Sequence, residues 1–380
     1  MNQNQGNITI WTAFSVLLLS AGLVSHVMII PVILDVAKRD AWISVLFAAP
    51  FYILWMLLLY YIMKQLKNRS LVDWFEQSFG KTVAVIFRII AICFLFASCL
   101  YTTHDTAMWT VTTYMQVTPF FVLVLLFILI AFLMALSGFK NIAMTASILL
   151  PTVLFLGYFV MIANYKYKDY SLLKPMFEFG MMPAFIGSAF VLSGFMESWI
   201  LLLYQHQLQK KIKAWQIIAL AFFMISMAIG PTLSSITEFG PMEAAKQRYS
   251  AFEQWKIVKL GLLLQHIDFL SIYQWLSGAL VRVATSIYLI SSLLTFKSKK
   301  INITILTIVT IFVLLLVTYP WRDDVSLLFL QHIYAPALLI FVSILTILVT
   351  IALVFQRKQG HQNNNQQHTL VQQEANDSNE

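Results

Sequence analysis

The sequence predicts an all-α integral membrane protein of about ten transmembrane helices, arranged as two inverted five-helix repeats with broken first and sixth helices. Three observations carry this expectation. Hydrophobic residues make up 59% of the chain and charged residues only 11%, against roughly 25% charged in an average soluble domain. Apolar runs of the length needed to cross a hydrocarbon core, about 20 residues, take up nearly the whole chain. Polar or small residues interrupt the first and sixth of those runs, the pattern of transporters whose site lies at the midplane between broken helices.

The runs read as Ile8 to Leu34, Ala41 to Met63, Val83 to Tyr101, Pro119 to Ser137, Ile142 to Asn164, Met182 to Tyr204, Ala214 to Ile236, Phe269 to Phe296, Ile301 to Tyr319 and Ile333 to Phe355. The third continues apolar past His104 and Asp105 to Val117, so a longer, tilted helix is also open there. One permease-like domain spans 1–357, its repeats covering about 8–165 and 182–357. Residues 358–380, rich in Gln and Asn, have no packable core and are expected to form a disordered cytoplasmic tail. The N-terminus lacks the basic n-region of a secretory signal, so the first run reads as a retained span.

Net charge is +8, but Lys and Arg are scattered through short connections, which fits membrane topology better than nucleic-acid binding. With the N-terminus inside, inner connections hold fourteen Lys and Arg and outer ones ten, so both termini are expected in the cytoplasm. The longest outer connection, Thr237 to Asp268, carries an apolar stripe through Phe252, Trp255, Ile257, Val258 and Leu260 to Leu264, and reads as an interfacial amphipathic helix over Pro241 to His266. A second short helix is expected at Ser70 to Phe79, with Trp74, Phe75 and Phe79 facing the membrane. Cys93 and Cys99 fall on different helical faces and read as free thiols.

Two ionisable residues sit at membrane depth. Glu197 lies in the sixth run, after Gly187, Ser188, Ser193 and Gly194. A charge at that depth costs about 2.5 to 3.5 kcal/mol on insertion scales and is by default a functional-site hypothesis. Ser193 and Gly194 strip one helix face of bulk, for a neighbouring helix or a ligand. Arg282, mid-way along the eighth run, is too deep to snorkel; its partner is Glu197 or the carbonyls of a broken helix. In the first run Val24, Ser25 and His26 precede Pro31, and Gly22 adds to the weakness. His26 is either a packing residue or half of a cavity wall, since breaks persist in a bilayer only where protein or water satisfies the backbone. His104 and Asp105, about 100 degrees apart on a helix, make a poor dyad and read as an interfacial helix end. His266 and Asp268 belong to the start of the eighth span. No metalloprotease, nucleophile-elbow, phosphate-loop or dinucleotide motif appears in a credible context, so no enzyme, metal or cofactor is expected.

Three stretches are more specific than hydropathy: AKRDAWISVL after the first span, SGFMESWILLLY in the sixth and FGPMEAAKQRYSAFEQWKIV before the eighth. Over about residues 8 to 357 they resemble the spore germination receptor B-subunit family, a branch of the amino acid, polyamine and organocation transporter superfamily. The resemblance implies a nutrient sensor in the inner membrane of a bacterial endospore, working with a larger membrane subunit and a lipoprotein subunit. It also implies a small-molecule site between the first and sixth helices, at Val24, Ser25, His26, Val27, Ser193, Gly194 and Glu197, with Arg282 as the charge partner. Many relatives carry a Gly-x-Gly pair where this chain has Val24, Ser25 and His26. Glycines would let a ligand carboxylate approach bare amides; Val and His fill that space, which favours a nucleoside, or a ligand read by side-chain hydrogen bonds, over a simple amino acid. The alternative function is a proton-coupled secondary transporter with Glu197 as the coupling carboxylate.

Overall fold

The computed structural model describes residues 8–67, 69–259, 266–294, 299–319 and 322–377, with side chains described except at 299–301 and 357–377. Seven helical stretches among these residues are long and apolar enough to cross a membrane. The first of them, Ile10–Leu66, is two spans, because Lys38 breaks the helix at φ +47°. Its two ends also meet one connection: Ile8 N–H donates to Gln207 O at 3.1 Å, and the Gln205 amide donates to Arg69 O at 3.3 Å. Two shorter apolar helices, Phe120–Leu136 and Asn302–Val317, complete ten.

The fold is two inverted five-helix repeats. Each of the first four spans packs on its counterpart five spans later: first on sixth, second on seventh, third on eighth, fourth on ninth. A two-fold relation between the repeats generates such self-matching contacts. The first span is central. Its residues are buried almost throughout from Ala13 to Leu34, as expected of a helix apolar on every side. The second and sixth approach closely at Gly187, where a Cβ would lie 2.3 Å from Ser44 Oγ.

Several expectations need correction. The third helix, Lys81–Thr113, does not end at an interface near His104 and Asp105; both are buried within it. The helix can continue because Asp105 meets Arg248. The outer connection is not one interfacial helix but two short ones, Pro241–Ala244 and Ser250–Lys256. Phe252 and Trp255 are buried on Trp109, Tyr114 and Phe159 rather than in lipid; the stripe over Leu260 to Leu264 lies outside the described residues. The short helix Leu71–Phe79 forms, capped by Ser70 Oγ accepting from Asp73 N–H at 3.0 Å. Trp74 and Phe75 are buried, Phe75 on Phe87, and only Phe79 is exposed. The tenth span starts earlier than Ile333, as Asp323–Phe329 followed by a π-helical turn at Leu330–Tyr334. Its last helix, Ala335–Asp377, continues helical through most of the segment expected to be a tail; elongating a formed helix costs far less than nucleating one.

Candidate functional site

Both interrupted spans keep their backbone bonded. In the first, Val24–Met28 forms a π-helical turn in which Ile29 N–H donates to Val24 O at 2.9 Å, a single-turn widening often found at functional sites. Ser25 Oγ donates back to Ala21 O at 3.1 Å. In the sixth, Met182–Met196 tightens into a 3₁₀ turn at Glu197–Ile200. The interruptions face one another but leave no space: a Cβ on Gly194 would lie 3.1 Å from Ile29 Cγ1 and 3.6 Å from Ser25 Oγ. The stripped face of the sixth helix therefore receives the first helix. Ser193 donates to Phe190 O at 2.7 Å and is satisfied within its own helix.

Glu197 and Arg282 form a two-pronged ion pair. Arg282 Nη2 donates to Glu197 Oε1 at 2.8 Å and Nη1 to Oε2 at 3.3 Å. The side chains are 3% and 4% exposed. Arg282 Nε donates to Thr102 Oγ1 at 2.8 Å and Nη1 to Ser20 O at 3.2 Å, while the Tyr334 hydroxyl donates to Glu197 Oε1. One guanidinium thus ties the first, third, sixth and eighth spans, and Tyr334 adds the tenth. The free space beside this cluster is ≈ 10 Å³ measured at water centres, room for one water at most.

The large cavity lies on the other side of the first span, between the first, fifth, seventh and eighth, and measures ≈ 100 Å³ on the same basis. His26 and Val27 line it; Val24 and Ser25 do not. His26 Nδ1 lies 2.8 Å from Met227 O. A carbonyl can only accept, so Nδ1 carries the proton and Nε2 of the neutral ring is an acceptor. Phe252 and Trp255 of the outer connection roof the cavity, and Gln274 Oε1 accepts from Trp255 Nε1 at 3.2 Å. None of the described residues lining it carries a fixed charge.

Two ionic clusters stand at the roofed end of the cavity. Arg248, in the roofing connection, pairs with Asp105 of the third span and, at 3.1 Å, with Asp323 at the start of the tenth. Lys168, in the connection after the fifth span, faces Glu238 at 3.7 Å, with side chains 3% and 0% exposed. Burial lowers the Lys168 pKa, and the Glu238 charge only partly offsets this. Lys168 Nζ also donates to Ser234 Oγ at 2.8 Å, and Ser234 lines the cavity.

The sequence-derived set therefore divides in three. Glu197 and Arg282 come together with Ser193 and Gly194 nearby, Val24 and Ser25 serve helix packing, and His26 and Val27 face the cavity. Sequence reasoning missed Tyr334, the cavity wall from the fifth, seventh and eighth spans, and both outer clusters. Tyr334 offered one weak signal, a polar residue two before Pro336 in an apolar run. The ionic clusters lie in segments read as connections, and the cavity wall lies in spans whose facing sides the sequence does not mark.

Comparison with known proteins agrees with the architecture. Residues 8–324 match the family model described as "Spore germination protein". Spore germination protein XB of Bacillus anthracis is 37% identical over 321 residues, covering 84% of this chain and 90% of that protein. Among solved structures, MhsT in complex with L-phenylalanine superposes with a TM-score of 0.64 at 11% identity, covering 90% of this chain and 89% of that one. Mhp1, a nucleobase-cation-symport-1 family transporter closed around bromovinylhydantoin, gives 0.59 at 11% identity, covering 87% and 78%. At such identity these two likenesses establish the fold alone.

Proposed function

The chain belongs to the spore germination protein family, and from that premise we propose that it is the nutrient-binding membrane subunit of a germinant receptor. A small nutrient, a nucleoside or an amino acid, enters the cavity behind the first-span π turn. Its binding favours one arrangement of the helices, which passes to a larger membrane subunit and a lipoprotein subunit in the spore inner membrane. The observation that carries this reading is that the cavity is walled by the interrupted stretch of the first span, at His26 and Val27. A ligand shifts a two-state protein only by its differential affinity for the states. A π turn that can relax toward ordinary helix is an element on which such a difference can act.

Two further features support it. The neighbouring folds hold L-phenylalanine in MhsT and bromovinylhydantoin in Mhp1, so this architecture accepts ligands of the proposed size. The Glu197–Arg282–Tyr334 cluster ties five spans at one point, a lock through which a change at the first span reaches the sixth, eighth and tenth. Replacing His26 by Ala tests the site: in spores relying on this receptor, nutrient sensitivity should shift at unchanged protein level, and an unaltered response would remove His26 from the site. A second reading, secondary transport, is favoured by the transporter neighbours. Labelled-nutrient uptake by the purified chain in liposomes separates the two, because concentrative uptake without partner subunits belongs to a transporter.

A further inference from the structure

Among the described residues, two buried acceptors next to Ser234 and Gln254 of the cavity wall lack donors. The Asn164 side chain, fully buried, gives its amide hydrogens to Gln254 O at 2.8 Å and Glu238 Oε2 at 3.3 Å, which leaves its own Oδ1 without a partner. Glu238 Oε1 likewise receives no hydrogen bond. Lys168 is its counter-charge but stops at 3.7 Å, beyond hydrogen-bond reach, and directs its ammonium to Met161 O at 3.1 Å and Ser234 Oγ at 2.8 Å. Buried unsatisfied oxygens are rare enough in folded proteins that each asks for an explanation. Here they adjoin a carboxylate, one helical turn after Ser234 of the cavity wall, and next to Gln254, which also lines the cavity.

We propose that Glu238 and Asn164 form an ammonium-binding subsite of this cavity, and that Lys168 is a tethered substitute for the ligand's amine. The proposal rests on the reading that the nutrient binds in the cavity. A primary ammonium has three donors and one positive charge. It satisfies Glu238 Oε1 and Asn164 Oδ1 while its apolar body occupies the uncharged space between the first, fifth, seventh and eighth spans. Lys168 then withdraws along its flexible stem. Its backbone stays in place, because the neighbouring Asp169 N–H donates to Thr237 O at 2.8 Å. A carboxylate on the ligand needs no place at the filled glycine positions of the first span, since recognition starts from the amine.

The arrangement makes a prediction of unusual sign. If Lys168 competes with the ligand, removing it strengthens binding, whereas a merely structural ion pair weakens binding when either partner is lost. The experiment is equilibrium binding of tritiated L-alanine, L-valine and L-phenylalanine to the full chain in lipid nanodiscs. Lys168→Met should bind at least one of them about tenfold or more tighter, and Glu238→Gln about tenfold or more weaker, the range expected when a buried charge gains or loses its counter-ion. Lys168→Met/Glu238→Gln, with no unpaired charge to disturb folding, should bind as weakly as Glu238→Gln. Four results overturn the subsite: weaker or unchanged binding in Lys168→Met, no binding of any of the three by either protein, competition by propionate as strong as by alanine, or displacement by sodium chloride showing an inorganic cation there instead. Filling the cavity with Gly157→Leu separates the two proposals. Binding that survives it but still depends on Glu238 keeps the subsite and rejects the cavity; binding lost there but indifferent to Glu238→Gln does the reverse.

Discussion

Glu197 and Arg282 show what a single pair of charges does at this depth. Each is nearly fully buried and each hydrogen bond on the pair comes from a different span. Leaving one charge behind costs about 3 to 5 kcal/mol, while replacing both with apolar groups is often close to neutral. Glu197→Ala and Arg282→Ala should therefore each lower the melting temperature of the detergent-purified protein sharply, and Glu197→Met/Arg282→Met should recover most of the loss. A double variant that melts no higher than the worse single one would show that the two residues do not act as a pair. Tyr334→Phe removes one donor to a carboxylate and should cost about 1.5 to 3 kcal/mol. Both charges were legible in the sequence, because an ionisable residue inside an apolar run has few explanations. Tyr334 was not, since a tyrosine 137 positions after Glu197 carries no mark of the partner it meets. His26 was legible as an anomaly but not in its direction: a helix places residues on faces, and only packing decides that this face looks toward the seventh span rather than the sixth.

The roof of the cavity is an element held by a small set of contacts. Ser250–Lys256 rests on Trp109 and Tyr114 through Phe252, reaches Gln274 through Trp255, and is fastened just before its start by Arg248 to Asp105 and Asp323. Arg248→Ala leaves Asp105 buried without a counter-charge, so the roof should open more often. A loss of even about 1.4 kcal/mol of closure raises local opening about tenfold, readable as faster hydrogen exchange of the 250–256 amides. Arg322→Ala removes an exposed pair with Asp324 and should leave that exchange unchanged, as surface pairs contribute little. Equal exchange in wild type and Arg248→Ala would show that the network does not hold the roof. Phe252, Trp255 and Val258 of this connection's stripe are buried as one apolar set, but the sequence reading assigned them to lipid. Periodicity reports that a face is apolar, not whether bilayer or protein covers it, and the same ambiguity misplaced Trp74 and Phe75.

At the scale of the whole molecule, hydrocarbon thickness made the ten spans readable, because it sets a run length that few soluble helices reach. The contacts between counterpart spans were not readable, since they join residues far apart in sequence on faces that are apolar throughout. The connections nonetheless sort into two sets by their mutual bonds. Ile8, Arg69 and the 205–209 segment meet at one end. At the other, Arg39 donates to Leu172 O and Lys174 O, and Asp169 meets Thr237. These sets coincide with the inner and outer connections assigned from Lys and Arg placement, which were derived without any contact. The contacts sort the connections onto two sides, and which side is cytoplasmic, expected from the charge bias alone, can be checked by cysteine labelling. In a chain with Cys93 and Cys99 replaced by Ser, Lys210→Cys and Lys166→Cys each place one thiol at an exposed position on opposite sides. Applied to intact cells, a membrane-impermeant maleimide should label Lys166→Cys alone, and permeabilisation should add Lys210→Cys. Labelling in the reverse order would turn the molecule over, placing the roofed cavity and the Lys168–Glu238 pair on the cytoplasmic side, where a nutrient arriving from outside the spore could not reach them directly.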